Sequence, residues 1–381
     1  MLNMMNLEIH YILGYSTPGK NLNEKGWVIK KIFYDDQGRF ITEAYAENIT
    51  IPILIFDKRE EYYYHYPSED LSIVIGNTAL VTGGFNSISG TVRHLASVEK
   101  INISALGNAF MMPDLIQSID IHASTSNGLH DKGVIGCGYF NLNTLFTFSI
   151  DNYSSSYIFG TLSVSGYGKT AVSNGTNDRA VFSGGRNSSS YYSNLEYFNI
   201  VSFSGANNFG NMTEPKSGLN GTSNGTNERG IFTGGYRGSG FSDKIEYITI
   251  STPGNALDFG NLSMNRVYHS CTSNDRNDRA LIIGGYSYTG SATIYLNTIE
   301  YLTISTLSNS QDFGDLPLEI FGHTSTSNGI GNRAIHCGGN NNNVQINTIY
   351  YNNIVSLGNS LEFGFLNEPK LYLSAVSNGQ H

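Results

Sequence analysis

The chain has 381 residues and a net charge of −9, from 22 Lys and Arg against 31 Asp and Glu. That balance argues against nucleic acid or an anionic membrane as a partner, because both need a basic surface. Forty-three Gly, 25 Tyr and 20 Phe beside only 14% charged residues argue against a helical protein, which would carry more Ala, Leu, Glu and Lys, and point to an all-β chain.

The first stretch, Met1 to Tyr15, lacks a basic segment followed by a long apolar run, so no signal peptide is expected. No apolar window reaches the length of a membrane helix. Residues 1–68 carry the single Trp and more charge than the rest. Strand faces alternate across Val28 to Phe33, Asp35-Asp36-Gln37-Gly38 reads as a hairpin turn, and Arg39 to Ala44 as its return strand. We read a small β-rich adaptor here.

From residue 69 onward a three-part unit repeats. One copy reads SNGTNERGIFTGGY (Ser223 to Tyr236), KIEYITI (Lys244 to Ile250) and GNALDFGNL (Gly254 to Leu262). The second glycine of each pair falls at 84, 138, 185, 235, 285 and 339, so the spacings are 54, 47, 50, 50 and 54. Four copies are clean and the first two are degenerate, Cys137 interrupting the diglycine of the second. The short apolar run before each diglycine reads as a strand covered on both faces. The Ile-Glu-Tyr-Ile-Thr-Ile block alternates like a half-buried strand, and Asp-Phe-Gly-Asn-Leu is a short outer strand. Four strands per unit make a propeller blade, and one blade cannot bury its two faces alone. The tail, Leu373 to Gly379, matches the opening block of a seventh unit. It is expected to complete the first blade. The fold class is therefore all-β, a propeller of about six blades over 69–381 preceded by the β-rich segment.

Within the repeat, Arg179, Arg229, Arg279 and Arg333 follow the first turn, and Glu196, Glu246 and Glu300 lie in the third strand. A group present in every blade is rarely catalytic, because an active site occurs once. These are read as a ladder of Arg–Glu or Arg–carbonyl contacts. The glycine pairs Gly184-Gly185, Gly234-Gly235, Gly284-Gly285 and Gly338-Gly339 are read as close backbone approaches or positive φ. Asp275, Asn277 and Asp278 lack the spacing of a calcium loop and read as turn residues. His269 and His323 precede successive first strands and repeat a structural position. Cys137, Cys271 and Cys337 have no metal or disulfide spacing and read as buried thiols, with Cys137 and Cys337 at equivalent strand positions. HExxH and Walker motifs do not occur. We expect no catalytic residues, no metal and no cofactor. The loops after the diglycines, with Tyr191, Tyr192, Tyr236, Arg237, Tyr286, Tyr288, Tyr295 and Asn341, have the Tyr, Ser, Gly and Asn composition of recognition surfaces.

The diglycine, the period and the aromatic strand after it resemble kelch repeats, with Phe159, Phe209, Phe259, Phe313 and Phe363 where those repeats usually carry Trp. The variant written Asn-Arg-Ala-Ile-Phe-x-Gly-Gly resembles repeats of tailed-bacteriophage virion proteins. The segment with Gly14-Tyr15, Trp27-Val28-Ile29-Lys30, Tyr45-Ala46-Glu47-Asn48 and Phe56-Asp57-Lys58-Arg59 is similar to a phage structural module, which reads Ala-Asp-Gly where this chain has Ala-Glu-Asn. The resemblance implies a non-enzymatic virion component of tail, neck or capsid surface, assembled in the host cytoplasm and present in several copies. Other virion proteins would hold its N-terminal segment, and its loops would face neighbours or a host-surface glycan or receptor. A glycosidase or oxidase on the same architecture would need a unique carboxylate pair or metal cluster at the channel.

Overall fold

The computed structural model describes residues 76–88 and 91–379, together with the backbone of four earlier strands. The chain divides into a unit of residues 1–71 and one of residues 72–381. In the first, Trp27–Tyr34, Phe40–Ala46, Ile53–Lys58 and Glu61–Tyr64 pair antiparallel in sequence order. The register shifts between Ile29 and Lys31, so the unbroken alternation expected across Val28 to Phe33 is not kept. The turn expected at Asp35 to Gly38 lies outside the described residues, as do Gly14, Tyr15 and Glu47 to Asn48 of the module.

The second unit is a six-bladed β-propeller. Blade 4 shows the pattern: Asn220–Ser223, Arg229–Thr233, Lys244–Thr249 and Leu257–Asn261 form one antiparallel sheet in that order. Blades 2, 3, 5 and 6 repeat it from inner strands Ala123–Ser126, Tyr167–Ser173, Ser270–Ser273 and Thr324–Ser327. Blade 1 is assembled from both ends of the repeat region. Its inner strand is Ser374–Ser377, paired antiparallel with Thr78–Thr82, followed by Val98–Asn102 and Phe110–Met112. The seventh opening block thus closes the ring, as its sequence suggested.

The core is six clusters, each shared by two adjacent blades. Phe232 and Ile248 of blade 4 pack with Val181 and Phe209 of blade 3, and Ala79 and Ile101 of blade 1 pack with Ile335 and Ile349 of blade 6. This is why the apolar run before each diglycine is continuous: both of its faces meet a neighbour. In the outer strand a bulge opposite Glu246 lets Phe259 turn inward onto Tyr247, ring centroids 6.1 Å apart. The next residue, Gly260, has φ +149°, and a Cβ there would lie 2.4 Å from the Ser308 carbonyl oxygen of the following blade. The Phe-Gly pair is therefore a packing residue followed by a site of backbone contact.

Three closed circuits of hydrogen bonds tie each blade to the next. The serine of each SNG block donates to the carbonyl of its counterpart one blade back: Ser126 to Ser377, Ser173 to Ser126, Ser223 to Ser173, Ser273 to Ser223, Ser327 to Ser273 and Ser377 to Ser327, at 2.5–2.8 Å. The second circuit is made of cations. Arg179, Arg229, Arg279 and Arg333 reach the backbone carbonyls of Ser251, Ser305, Val355 and Ser104, each in the following blade. Lys132 and Lys100 do the same to Val201 and Asp151. Lys100 stands one strand over from Thr78, which replaces the arginine in blade 1. The third circuit lies at the channel mouth.

Candidate binding face around the channel mouth

The recurring Arg and Glu residues do not pair with each other. Each Arg lies over the Tyr of its own blade, 4.7 Å from the Tyr247 ring for Arg229, and its guanidinium serves carbonyls. Three of the acids instead meet a buried cation on the connector that enters their blade. Glu246 pairs with Lys216, Glu300 with Arg266, and Glu99 with Lys370 at 2.7 Å. Glu196 has no such residue, because Gly166 holds that position. Lys169, three residues on, is buried and held down by desolvation while Glu196 opposes the shift. The two blades without the acid have no cation either. Phe146 and Tyr350 replace it, and the connectors carry Ile119 and Ile320 in the same clusters. The carboxylate also accepts a connector N–H, from Thr213 to Glu246 at 2.7 Å. Where the acid is missing, that N–H goes to Ser156 in blade 2 (from Ile116) and is removed by Pro317 in blade 6. The acid and its backbone donor are present or absent together, and three of the four acids also have the buried cation, so these carboxylates are structural.

Asp275, Asn277 and Asp278 sit at the turn between first and second strands. Asp278 accepts from Asn224 of the preceding blade at 2.8 Å, and Asn277 donates to Asn332 of the next at 3.0 Å. Asp178 and Glu228 accept from Asn127 and Asn174 in the same way. Among the described residues no group of three or more His, Cys, Asp or Glu is placed to hold a metal. His122, His269 and His323 occupy one repeated position and bond through Nε2 to Thr82, Thr233 and Ser270. Burial lowers His122 and His323 to about 3. The three cysteines are free and buried. Cys137 and Cys337 are not equivalent. Cys337 ends the second strand, as Gly136 does in blade 2, whereas Cys137 takes the place of the first glycine at φ +60°. The expected equivalence of the two cysteines is therefore off by one residue.

The diglycines shape one face of the ring. The first glycine is left-handed, with φ +61° at Gly234, where a Cβ would lie 2.5 Å from the Arg266 carbonyl oxygen. The second turns its N–H to the connector, from Gly235 to Arg266 and from Gly285 to Ile320, at 2.9 and 2.8 Å. Gly184-Gly185 and Gly338-Gly339 repeat this with the Lys216 and Lys370 carbonyls. Each connector then reaches the channel through one left-handed residue: Ile121, Gly168, Gly218, Tyr268, Gly322 or Tyr372. The N–H of each donates to the carbonyl of its counterpart in the blade before, at 2.7–3.1 Å, and Ile121 closes the circle on Tyr372. This is the third circuit. Glycine fills three of its positions at no steric cost, whereas Ile121, Tyr268 and Tyr372 at φ +50° to +55° cost about 1 kcal/mol or more each.

Aromatic side chains surround this mouth. Tyr268 and Tyr372 stand with centroids 4.9 Å apart, and burial pushes both phenols well up. A closed belt of rings runs through Tyr372. Tyr191 meets Tyr236 at 5.6 Å, Tyr236 meets Phe241 at 5.4 Å, and Phe241 meets Tyr286 at 5.5 Å. Tyr286 contacts Phe321, which contacts Tyr372 and, through it, Phe85. Phe85 leads through His94 to Tyr139 and on to Tyr167. Arg186 joins the ends, 5.6 Å from the Tyr167 ring and 4.9 Å from that of Tyr191.

Of the loop residues singled out in the sequence, Tyr191, Tyr236, Tyr286 and Tyr295 lie in or against the belt. Tyr295 stacks on Phe321 at 5.3 Å, and Tyr288 reaches Phe241 at 6.3 Å. The other three are engaged elsewhere. Tyr192 lies under the Lys169 ammonium, Arg237 pairs with Glu214 at 3.1 Å, and Asn341 donates to the Glu319 carbonyl. Phe85, His94, Tyr139, Tyr167, Phe241, Tyr268, Phe321 and Tyr372 were missed. The signal for two of them was in the chain: Tyr268 and Tyr372 stand where other repeats carry Gly168, Gly218 and Gly322. Behind the mouth lies a polar cavity of about 90 Å³, lined by Ser124, Thr170, Asn220, Ser325 and Ser374 among others. Compared with profiles of known protein families and with curated proteins, the chain matches none.

Proposed function

We propose that this chain is a non-catalytic recognition scaffold of a virion surface, in which the propeller offers its aromatic mouth to a host or neighbouring surface. The observation that carries the reading is the belt. Rings from all six blades converge on one face, and the backbone of Tyr372 among them belongs to the mouth circuit. Rigid amphipathic rings give contact area at low entropic cost. The buried acids repeated in the blades support a scaffold, because each is met by a cation or a backbone donor. The virion setting rests on the resemblance of the kelch-like repeat and of the N-terminal segment to phage structural proteins. Antibody raised against the full chain should label purified particles and stay bound after salt washing. Particles that lack the chain would sink the setting, and full chain that turns over a sugar or peptide library would sink the non-catalytic reading.

A further inference from the structure

We propose that the mouth is a binding site for a neutral oligosaccharide, with Tyr268 and Tyr372 at its centre. This rests on the recognition reading above and names its ligand class. The first ground is the strain. Three blades show that glycine makes the mouth circuit unstrained, yet two blades place tyrosine there in a left-handed conformation. An outlier of this kind points to a use for the side chain. Closing the channel is not a sufficient use, because the Gly168, Gly218 and Gly322 positions complete the same circuit without a ring.

The second ground is the chemistry around the two rings. A stacking surface fits a sugar, a nucleobase or an apolar protein segment. Single-stranded nucleic acid needs a basic groove beside its stacking rings, and the chain carries −9. Two cations of the face are already engaged, as Arg186 lies between Tyr167 and Tyr191 and donates to the Tyr191 hydroxyl and Arg237 meets Glu214, and one exposed arginine, Arg93 beside His94, makes no basic groove. A protein interface would expose an apolar centre. The exposed aliphatic residues of this face, Val92, Ile294 and Val344, sit singly on the hairpins after the diglycines, and others, such as Ile158, Leu257 and Leu361, lie on or beside the outer strands. The face pairs rings with neutral polar groups, the phenols and the loop amides. Asn340, hydrogen-bonded through its backbone to Phe321, keeps a buried carboxamide oxygen with no donor. Ring faces with neutral donors and acceptors match the apolar faces and hydroxyls of an uncharged sugar chain.

The test uses the full chain on an array of neutral and charged glycans, followed by titration with the best neutral oligosaccharide. The pair Tyr268→Gly and Tyr372→Gly copies the residue found in three other blades, so the fold should keep or gain thermal stability. We expect neutral glycans to be retained and the double variant to bind at least ten-fold more weakly. Phe110→Ser on an outer strand should bind as the parent does. Equal binding by parent and double variant overturns the proposal, and so does capture of charged glycans alone. If no glycan binds but the chain coats cells until they are treated with protease, the ligand is a protein. The recognition reading then stands and this inference fails. If the chain binds neither glycans nor cells, both fail.

Discussion

Replacing Lys216 by Ile should unfold the ring early, and two further changes should restore it. Lys216 and Glu246 are both wholly buried, and the carboxylate also holds the Thr213 N–H. Removing the cation alone leaves a buried unpaired charge, a loss of about 3–5 kcal/mol. Unfolding entropy is about 2.1 cal/mol/K per residue. Over residues 72–381 that loss corresponds to a fall in Tm of roughly 5–8 °C. Blade 6 shows the remedy, because it carries Ile320, Tyr350 and Pro317 at the three positions. The triple variant Lys216→Ile, Glu246→Tyr, Thr213→Pro removes cation, acid and donor together. It should recover to within about 1 kcal/mol of the parent, since a buried pair can be exchanged for apolar residues of similar volume. Calorimetry and urea unfolding of the three proteins check this. A triple variant as damaged as the single one, or a single variant that melts with the parent, would contradict a buried pair matched to its backbone donor.

Three other outcomes follow from the same geometry. Arg229→Ala removes two carbonyl contacts and a cation–π contact at a half-buried site. It should cost about 2 kcal/mol, a Tm fall of roughly 3 °C, and unchanged melting would contradict the ring of cations. Gly234→Ala meets both a left-handed φ and the Arg266 carbonyl, so it should cost about 3 kcal/mol or more in the same melting assay. Stability should also fall with acid. The folded pKa values of His122 and His323 are near 3 and that of His336 near 4, lowered by burial from 6.5. The unfolded chain therefore binds protons first as pH drops below about 6.5. Each of the three should remove about 2 kcal/mol between pH 6.5 and 5, and a flat urea midpoint across that range would contradict their burial.

Most of the ring was legible because the repeat is a physical unit. The diglycines, the Phe-Gly pairs and the terminal SNG each answer to one backbone contact, and each could be counted in the sequence. The Arg residues were read as scaffold, but not which carbonyls they reach, since those lie one blade away in the fold and about 75 residues away in the chain. The Lys–Glu pairs were missed for a related reason. Lys216, Arg266 and Lys370 sit in connectors whose neighbouring residues differ, so no block of text repeats there. The belt was legible only in part. Its loop tyrosines stood out by composition, but Tyr268 and Tyr372 act through a backbone position that glycine holds elsewhere. Aromatic rings at that place become visible as a choice only when the six mouth residues are seen to bond in a circle.

The claim that the mouth is the recognition surface meets its most direct test in competition for adsorption. Full chain, the Tyr268→Gly and Tyr372→Gly double variant and the outer-strand variant Phe110→Ser would each be added to susceptible cells before particles. The parent and Phe110→Ser are expected to slow adsorption in step with concentration, and the double variant to do so at least ten-fold less effectively. Equal inhibition by all three chains, or none by any, would contradict it.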